Sequence, residues 1–218
     1  MLVLGAILCV AFNATLVFVG RFSFVDGRVV KKSEEHSAMA MSRRGIAAAT
    51  IMGLVALFAM HIFYGRPVSV SFRWSMASSV SVYAALFDYE KNIIPNRLLA
   101  PPLIASVLLI VIDVLMNPGL WRSSIGTYAI AALLSGGVFL VSRLVTRGGV
   151  GAGDIKLFFV LGMMLGFKGV LNVMLYTVLS TFAYSVYLLV TKRGKLNDSI
   201  PLGPFVFIGT ALSVAFGA

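Results

Sequence analysis

Long uninterrupted apolar runs dominate this sequence, and they constrain the fold more than any other feature. Of the 218 residues, 59% are hydrophobic and only 12% are charged, and the mean hydropathy is +0.97. Soluble domains carry about 25% charged residues, so the composition argues against a water-soluble globule, a disordered chain or a fibrous one. A transmembrane barrel would show alternating strands of about ten residues, whereas the apolar residues here form long unbroken runs. We therefore predict an all-α, polytopic helical membrane protein.

Eight apolar segments are predicted as membrane helices, since about 20 residues make one span. The sixth is short and is compatible with a half-span that begins deep in the protein. Residues 1–66, with the polar stretch 21–44, form an N-terminal part, and residues 67–218 form the remainder. The segments cover approximately 2–20, 45–64, 69–87, 98–116, 125–145, 155–167, 169–191 and 200–217.

The distribution of positive charge predicts the orientation. Lys and Arg collect in cytoplasmic loops, and an outside N-terminus assigns 14 of the 18 basic residues to the cytoplasmic side. Both termini are therefore predicted outside. The same tendency accounts for the net charge of +10, so the charge does not indicate a nucleic-acid partner. The expected partner of the chain is the lipid bilayer. The four basic residues assigned to the outer side are Arg66, Arg73, Arg122 and Lys168.

Two aspartates lie at segment ends on the same predicted face of the membrane. Asp88 ends the third segment and Asp154 begins the sixth. Two carboxyl groups about 3 Å apart share one proton. The ionised group can then take a proton from water while the protonated group polarises a scissile carbonyl. The pair is suited to peptide hydrolysis, and a helix cap or a pair with a nearby lysine is the alternative for either aspartate alone.

The other candidate residues predict no second site. Asp113 lies about 22 Å along its helix from the inner face, so we expect a polar contact near the outer face, with a transport role as the alternative. The histidines, His36 and His61, lie near no convincing nucleophile motif. We predict no metal site. Cys9, the only cysteine, is predicted to be a small apolar filler.

The residues around both aspartates resemble the motifs of a known family. Residues 148–157 read Gly-Gly-Val-Gly-Ala-Gly-Asp-Ile-Lys-Leu. Gly151, Gly153 and Asp154 match the GxGD motif of intramembrane aspartyl proteases, and the Ile-Lys-Leu that follows is the form in prepilin peptidases. Residues 88–96 read Asp-Tyr-Glu-Lys-Asn-Ile-Ile-Pro-Asn, which is similar to the first catalytic motif of that family.

A third element near the C-terminus is similar to a late motif of the same family. Residues 200–205 read Ile-Pro-Leu-Gly-Pro-Phe. Glycine and proline there would interrupt the helix entry and let backbone groups face the site. The three elements together span residues 88–205 and occur in the order found in type IV prepilin peptidases.

This resemblance implies a membrane aspartyl endopeptidase without a metal or cofactor. Its substrates would be pilin-like (prepilin or pseudopilin) precursors, which lose a basic leader at the cytoplasmic face of a prokaryotic cytoplasmic membrane. Bifunctional members also N-methylate the product and carry two Cys-x-x-Cys pairs, so this chain, with Cys9 alone, resembles a peptidase-only member. The oligomeric state stays open. The resemblance assigns catalysis to Asp88 and Asp154, and shaping of the site to Pro95, Asn96, Gly151, Gly153, Lys156, Pro201, Gly203 and Pro204.

Two alternatives remain open at this point. The presenilin and signal-peptide-peptidase branch of GxGD proteases uses Tyr-Asp and Pro-Ala-Leu elements, which Phe87-Asp88 and residues 200–205 match poorly. A non-enzymatic, ion-coupled transporter would also use acidic residues. Transporter sites lie near the middle of the membrane, whereas this pair is predicted at one face.

Overall fold

The computed structural model describes residues 2–21, 43–116, 121–146, 149–192 and 200–217. Within these ranges the chain is helical and contains no β-strand, which confirms the predicted all-α class. Residues 22–42 of the predicted polar loop, with His36, and residues 193–199 lie outside the described part. The helices are α1 (Leu2–Arg21), α2 (Arg43–Phe58, followed by a π-helical turn at Ala59–Phe63), α3 (Val68–Lys91), α4 (Asn96–Met116), α5 (Trp121–Val145), α6 (Ala152–Val190) and α7 (Gly203–Ala215).

Several of these helices have the length and composition of membrane spans. In the described ranges, four are long and apolar enough to cross a membrane: Arg44–Phe63, Asn96–Met116, Ile125–Val145 and Ala152–Val190. Leu2–Val17 and Gly203–Ala215 are shorter apolar helices. This pattern is that of a multi-pass membrane protein, as predicted. The orientation of the termini stays a prediction.

Gly166 divides α6 into two arms, residues 152–165 and 167–190. Its backbone has φ 69° and ψ −176°, a left-handed conformation that glycine adopts readily. The first arm packs along α5, where Gly162 lies against Ala131 and Ala132. The second arm packs along α7. The predicted sixth and seventh segments correspond to these arms, and the first, about 21 Å long, is shorter than the hydrocarbon core of about 30 Å.

The central position of α3 explains its polar composition. It contacts α1, α2, α4, α6 and α7, and it carries five buried serines. Ser75 donates a hydrogen bond to Sγ of Cys9 at 3.0 Å, and Ser79 donates to the carbonyl of Ala49 at 3.1 Å. Because neighbouring helices accept these hydrogen bonds, α3 tolerates polar residues that a lipid-facing helix would not. Cys9 is 1% exposed, in line with its predicted role as a buried filler.

An ion pair joins α3 to α4 at the end of the bundle opposite Asp88. Nη2 of Arg73 lies 2.8 Å from Oδ2 of Asp113, and its guanidinium lies 4.5 Å from the ring centre of Tyr128. Arg73 precedes Asp88 by about 22 Å along α3. Arg73, one of the four basic residues assigned to the outer side, is 1% exposed within the helix bundle. A carboxylate partner on α4, rather than water, accounts for this charge.

Candidate active site

Asp88 lies in the last turn of α3, where the chain leaves the helix. Asn92 ends the helix in the left-handed conformation, with φ 51°, and its N–H donates to the backbone carbonyl of Asp88 at 2.9 Å. Asparagine is one of the few non-glycine residues that adopt this conformation routinely. The side chain of Asp88 is 6% exposed. Its Oδ2 accepts a hydrogen bond from the backbone N–H of Gly203 at 2.7 Å.

Gly203 begins α7 in direct contact with α3. A Cβ at this position would lie 2.7 Å from Cβ of Asp88 and 2.8 Å from the carbonyl oxygen of Ala84. Glycine is therefore required for this close approach of α7 to α3. Pro204 has no N–H, and the N–H of Phe205 donates to the carbonyl of Leu202 at 3.0 Å. The N–H of Gly203 is thus the donor that this turn presents to Asp88.

Asp154 lies in the first turn of α6 and caps that helix. Its Oδ2 accepts a hydrogen bond from the N–H of the N-cap residue, Gly151, at 3.2 Å. This is the helix cap that the sequence left open as an alternative, and it engages one oxygen of the carboxyl group. Asp154 is 9% exposed, and its carboxyl group is close enough to that of Asp88 for their charges to interact. The structure therefore brings the two predicted aspartates together.

The glycines of the GxGD motif keep Asp154 close to its neighbours. A Cβ at Gly153 would lie 2.9 Å from Cβ of Ile94 and 3.3 Å from its backbone nitrogen. A Cβ at Gly151 would lie 2.9 Å from Oδ2 of Asp154. Gly153 therefore allows α6 to begin directly against the turn between α3 and α4, and Gly151 leaves room for the carboxyl group of Asp154.

Lys156 and Asn96 connect the two motifs at the exposed rim. Nζ of Lys156 donates to Oδ1 of Asn96 at 2.8 Å. Pro95 precedes α4, and its carbonyl accepts the N–H of Leu98 at 3.0 Å. In the described part of the chain, no Lys or Arg nitrogen lies within 4.0 Å of either aspartate carboxylate. The predicted alternative of a lysine paired with one aspartate is therefore not realised by Lys156.

All three sequence elements meet at one end of the bundle. Pro201, half-buried, and Pro204 flank the start of α7. Two features of this region were not predicted from the sequence. One is the left-handed turn at Asn92, which an asparagine ahead of Ile-Ile-Pro could have signalled. The other is the backbone donor to Asp88, for which the sequence holds no signal because it joins residues 115 positions apart.

Comparison with known proteins links these features to a family. The model of the Type IV leader peptidase family matches residues 75–186, just over half of the chain, including both aspartates. The chain is 30% identical over 142 residues to the prepilin leader peptidase/N-methyltransferase of Bacillus subtilis (strain 168). That alignment covers 64% of this chain and 53% of the relative, so the chain spans about half the length of the curated relative it matches. No solved structure matches it significantly.

Proposed function

This chain belongs to the type IV leader peptidase family, as its motifs predicted, and we propose that it is a membrane aspartyl endopeptidase acting on pilin-like precursors. The proposed cut removes the basic leader at the cytoplasmic face of a prokaryotic cytoplasmic membrane. One observation carries the proposal: Asp88 and Asp154, from different helices, are both buried at one end of the bundle, where Gly153 beside Asp154 packs on Ile94 in the turn that follows Asp88. A pair of this kind has the composition required for hydrolysis by two carboxyl groups.

The proposed reaction uses one shared proton and one water. The ionised carboxylate takes a proton from the water, whose oxygen forms a bond to the scissile carbonyl carbon. The protonated carboxyl group donates to the carbonyl oxygen. When the tetrahedral intermediate collapses, the C–N bond breaks, the leaving nitrogen takes a proton from the pair, and the hydroxyl formed from the carbonyl oxygen returns its proton to the pair as the C=O bond forms again. The hydroxyl ends on the new carboxyl terminus and the hydrogen on the new amine, and the pair again holds one proton.

The position of the pair favours a particular form of substrate. Asp88, Asp154 and Gly203 lie at helix ends, where the GxGD glycines leave backbone rather than side chains beside the carboxyl groups. A peptide must therefore be extended close to the point where its own helix enters the membrane. A pilin-like precursor has an apolar helix that sets its depth and a leader that stays extended. A small residue at the end of the leader, glycine in the family, would let the scissile bond approach the pair.

The test is cleavage of a prepilin by the purified chain in detergent, with a labelled S-adenosylmethionine present. We expect a single cut after the leader glycine, no loss of activity with a metal chelator, and no labelled product, since Cys9 is the only cysteine. A prepilin with a bulky residue in place of that glycine serves as the matched control and should be cut poorly. Chelator-sensitive cleavage, or a methylated product, would contradict the proposal.

A further inference from the structure

The two aspartates differ in how strongly the backbone holds them. The bond from Gly203 N–H to Asp88 measures 2.7 Å, whereas the bond from Gly151 N–H to Asp154 measures 3.2 Å. Short N–H···O contacts are typical of hydrogen bonds to an ionised carboxylate, and 3.2 Å is at the long end of the normal range. The closer donor favours the negative charge on Asp88.

Helix dipoles make this contact more important for Asp88 than for Asp154. Asp88 lies in the last turn of α3, where the partial negative charge of the helix end disfavours a carboxylate. The N-terminus of α7, which begins at Gly203, supplies the opposite partial charge. Asp154 lies in the first turn of its own helix, whose dipole stabilises a carboxylate without an opposing one, so the dipoles by themselves favour the charge on Asp154. The preference for Asp88 comes from its shorter hydrogen bond, and Asp88 depends on α7 for a charge that its own helix opposes.

We propose that the N–H of Gly203 holds Asp88 as the ionised, water-activating member of the pair, which leaves the shared proton on Asp154. Gly203 is then a positioning residue, and the late Ile-Pro-Leu-Gly-Pro-Phe element contributes a backbone N–H rather than a side chain. This assignment rests on the proposed peptidase function.

α7 contains no titratable residue. Lys156 is bonded to Asn96. Among the described side chains, the titratable or charged groups at this end of α3 and of the helices packed against it include Arg44, Tyr89, Arg97, Asp154, Lys156 and Tyr184, whose ring packs against Phe205 of α7.

The first test compares two glycine variants of α7 by their pH profiles of kcat/KM. Gly203→Ala moves the N–H away from Asp88. Gly209→Ala is the matched control, because its Cβ would clash with Oγ1 of Thr177 on α6, far from the carboxyl groups. Loss of the hydrogen bond destabilises the ionised carboxylate, so the acid limb of Gly203→Ala should move to higher pH by about one unit. Gly209→Ala should slow cleavage without moving that limb.

A second variant keeps the proposal testable if Gly203→Ala does not fold. Replacing the amide at residue 203 with a backbone ester removes the N–H and adds no atoms, and an ester at Gly209 is its control. The ester at 203 should reproduce the upward shift of the acid limb. An ester enzyme with an unshifted acid limb would overturn the assignment while leaving the peptidase function intact. Absence of cleavage by the unmodified chain would instead contradict the proposed function itself.

Discussion

Gly153 lies directly against Ile94, so that a Cβ on the glycine would be 2.9 Å from Cβ of the isoleucine. This contact joins the GxGD motif at the start of α6 to the turn between α3 and α4. Ile94 is 5% exposed, so it cannot move outward into solvent without opening the core. The distance between Asp154 and the end of α3 therefore depends on the absence of a side chain at position 153.

The substitution Gly153→Ala should lower the cleavage rate by about 100-fold, because a displacement of about 1 Å at reacting groups has an effect of that size. Initial rates of prepilin cleavage at equal amounts of inserted protein measure it. Ile94→Gly removes the clashing Cβ, so the double variant should recover part of the loss. Gly137→Ala is the control, since nothing lies within 4 Å of a Cβ there. Equal losses in Gly153→Ala and Gly137→Ala would contradict this contact as the cause.

Asp88→Asn and Asp154→Asn should each reduce cleavage by at least about 100-fold, because each removes a carboxyl group that the proton transfers require. Gel-based cleavage assays, paired with size-exclusion profiles in detergent, separate lost chemistry from lost folding. Asp113→Asn is the matched control, since that carboxylate bonds to Arg73 at the opposite end of α3. An equal loss of activity in Asp113→Asn would contradict the assignment of catalysis to Asp88 and Asp154.

The predicted orientation can be measured by labelling single cysteines with a membrane-impermeant maleimide in whole cells. In a Cys9→Ser background, Gly119→Cys should be labelled from outside, because the charge distribution assigns residues 117–124 to the outer face. Arg147→Cys and Ser199→Cys should be labelled only after the membrane is permeabilised. Labelling of Arg147→Cys in intact cells would reject both the orientation and the proposed cytoplasmic site.

Breaking the pair between Arg73 and Asp113 should destabilise the protein without abolishing cleavage. Asp113→Leu leaves the buried Arg73 guanidinium without its charge partner, and we expect a loss of about 1–3 kcal/mol, less than for a fully buried pair, because Asp113 is 31% exposed. Thermal unfolding in detergent measures the difference. The double variant Arg73→Met/Asp113→Leu removes both charges and should recover most of the stability. A double variant less stable than Asp113→Leu would contradict this account.

Local chemistry accounts for the part of the protein that could be predicted. Apolar runs of about 20 residues have few solutions in lipid, since every backbone polar group must be satisfied within the helix. The all-α membrane class follows directly from that constraint. Asp88 and Asp154 could be identified because their flanking motifs are contiguous in the sequence. The break between the predicted segments 155–167 and 169–191 was also visible, although the sequence placed it at residue 168 and the structure places it at Gly166.

Contacts between distant residues account for the rest. A polar side chain on an apolar helix can face water or another helix, and its own segment does not distinguish the two. The sequence did not predict that Arg73 pairs with Asp113 on α4. The sequence contains 21 glycines. Composition does not show which of them interrupts a helix, as Gly166 does, or allows close contact between two helices, as Gly203 does. The bond from Gly203 to Asp88 forms only when α7 packs on α3, because a backbone N–H carries no sequence identity until folding brings it to its acceptor.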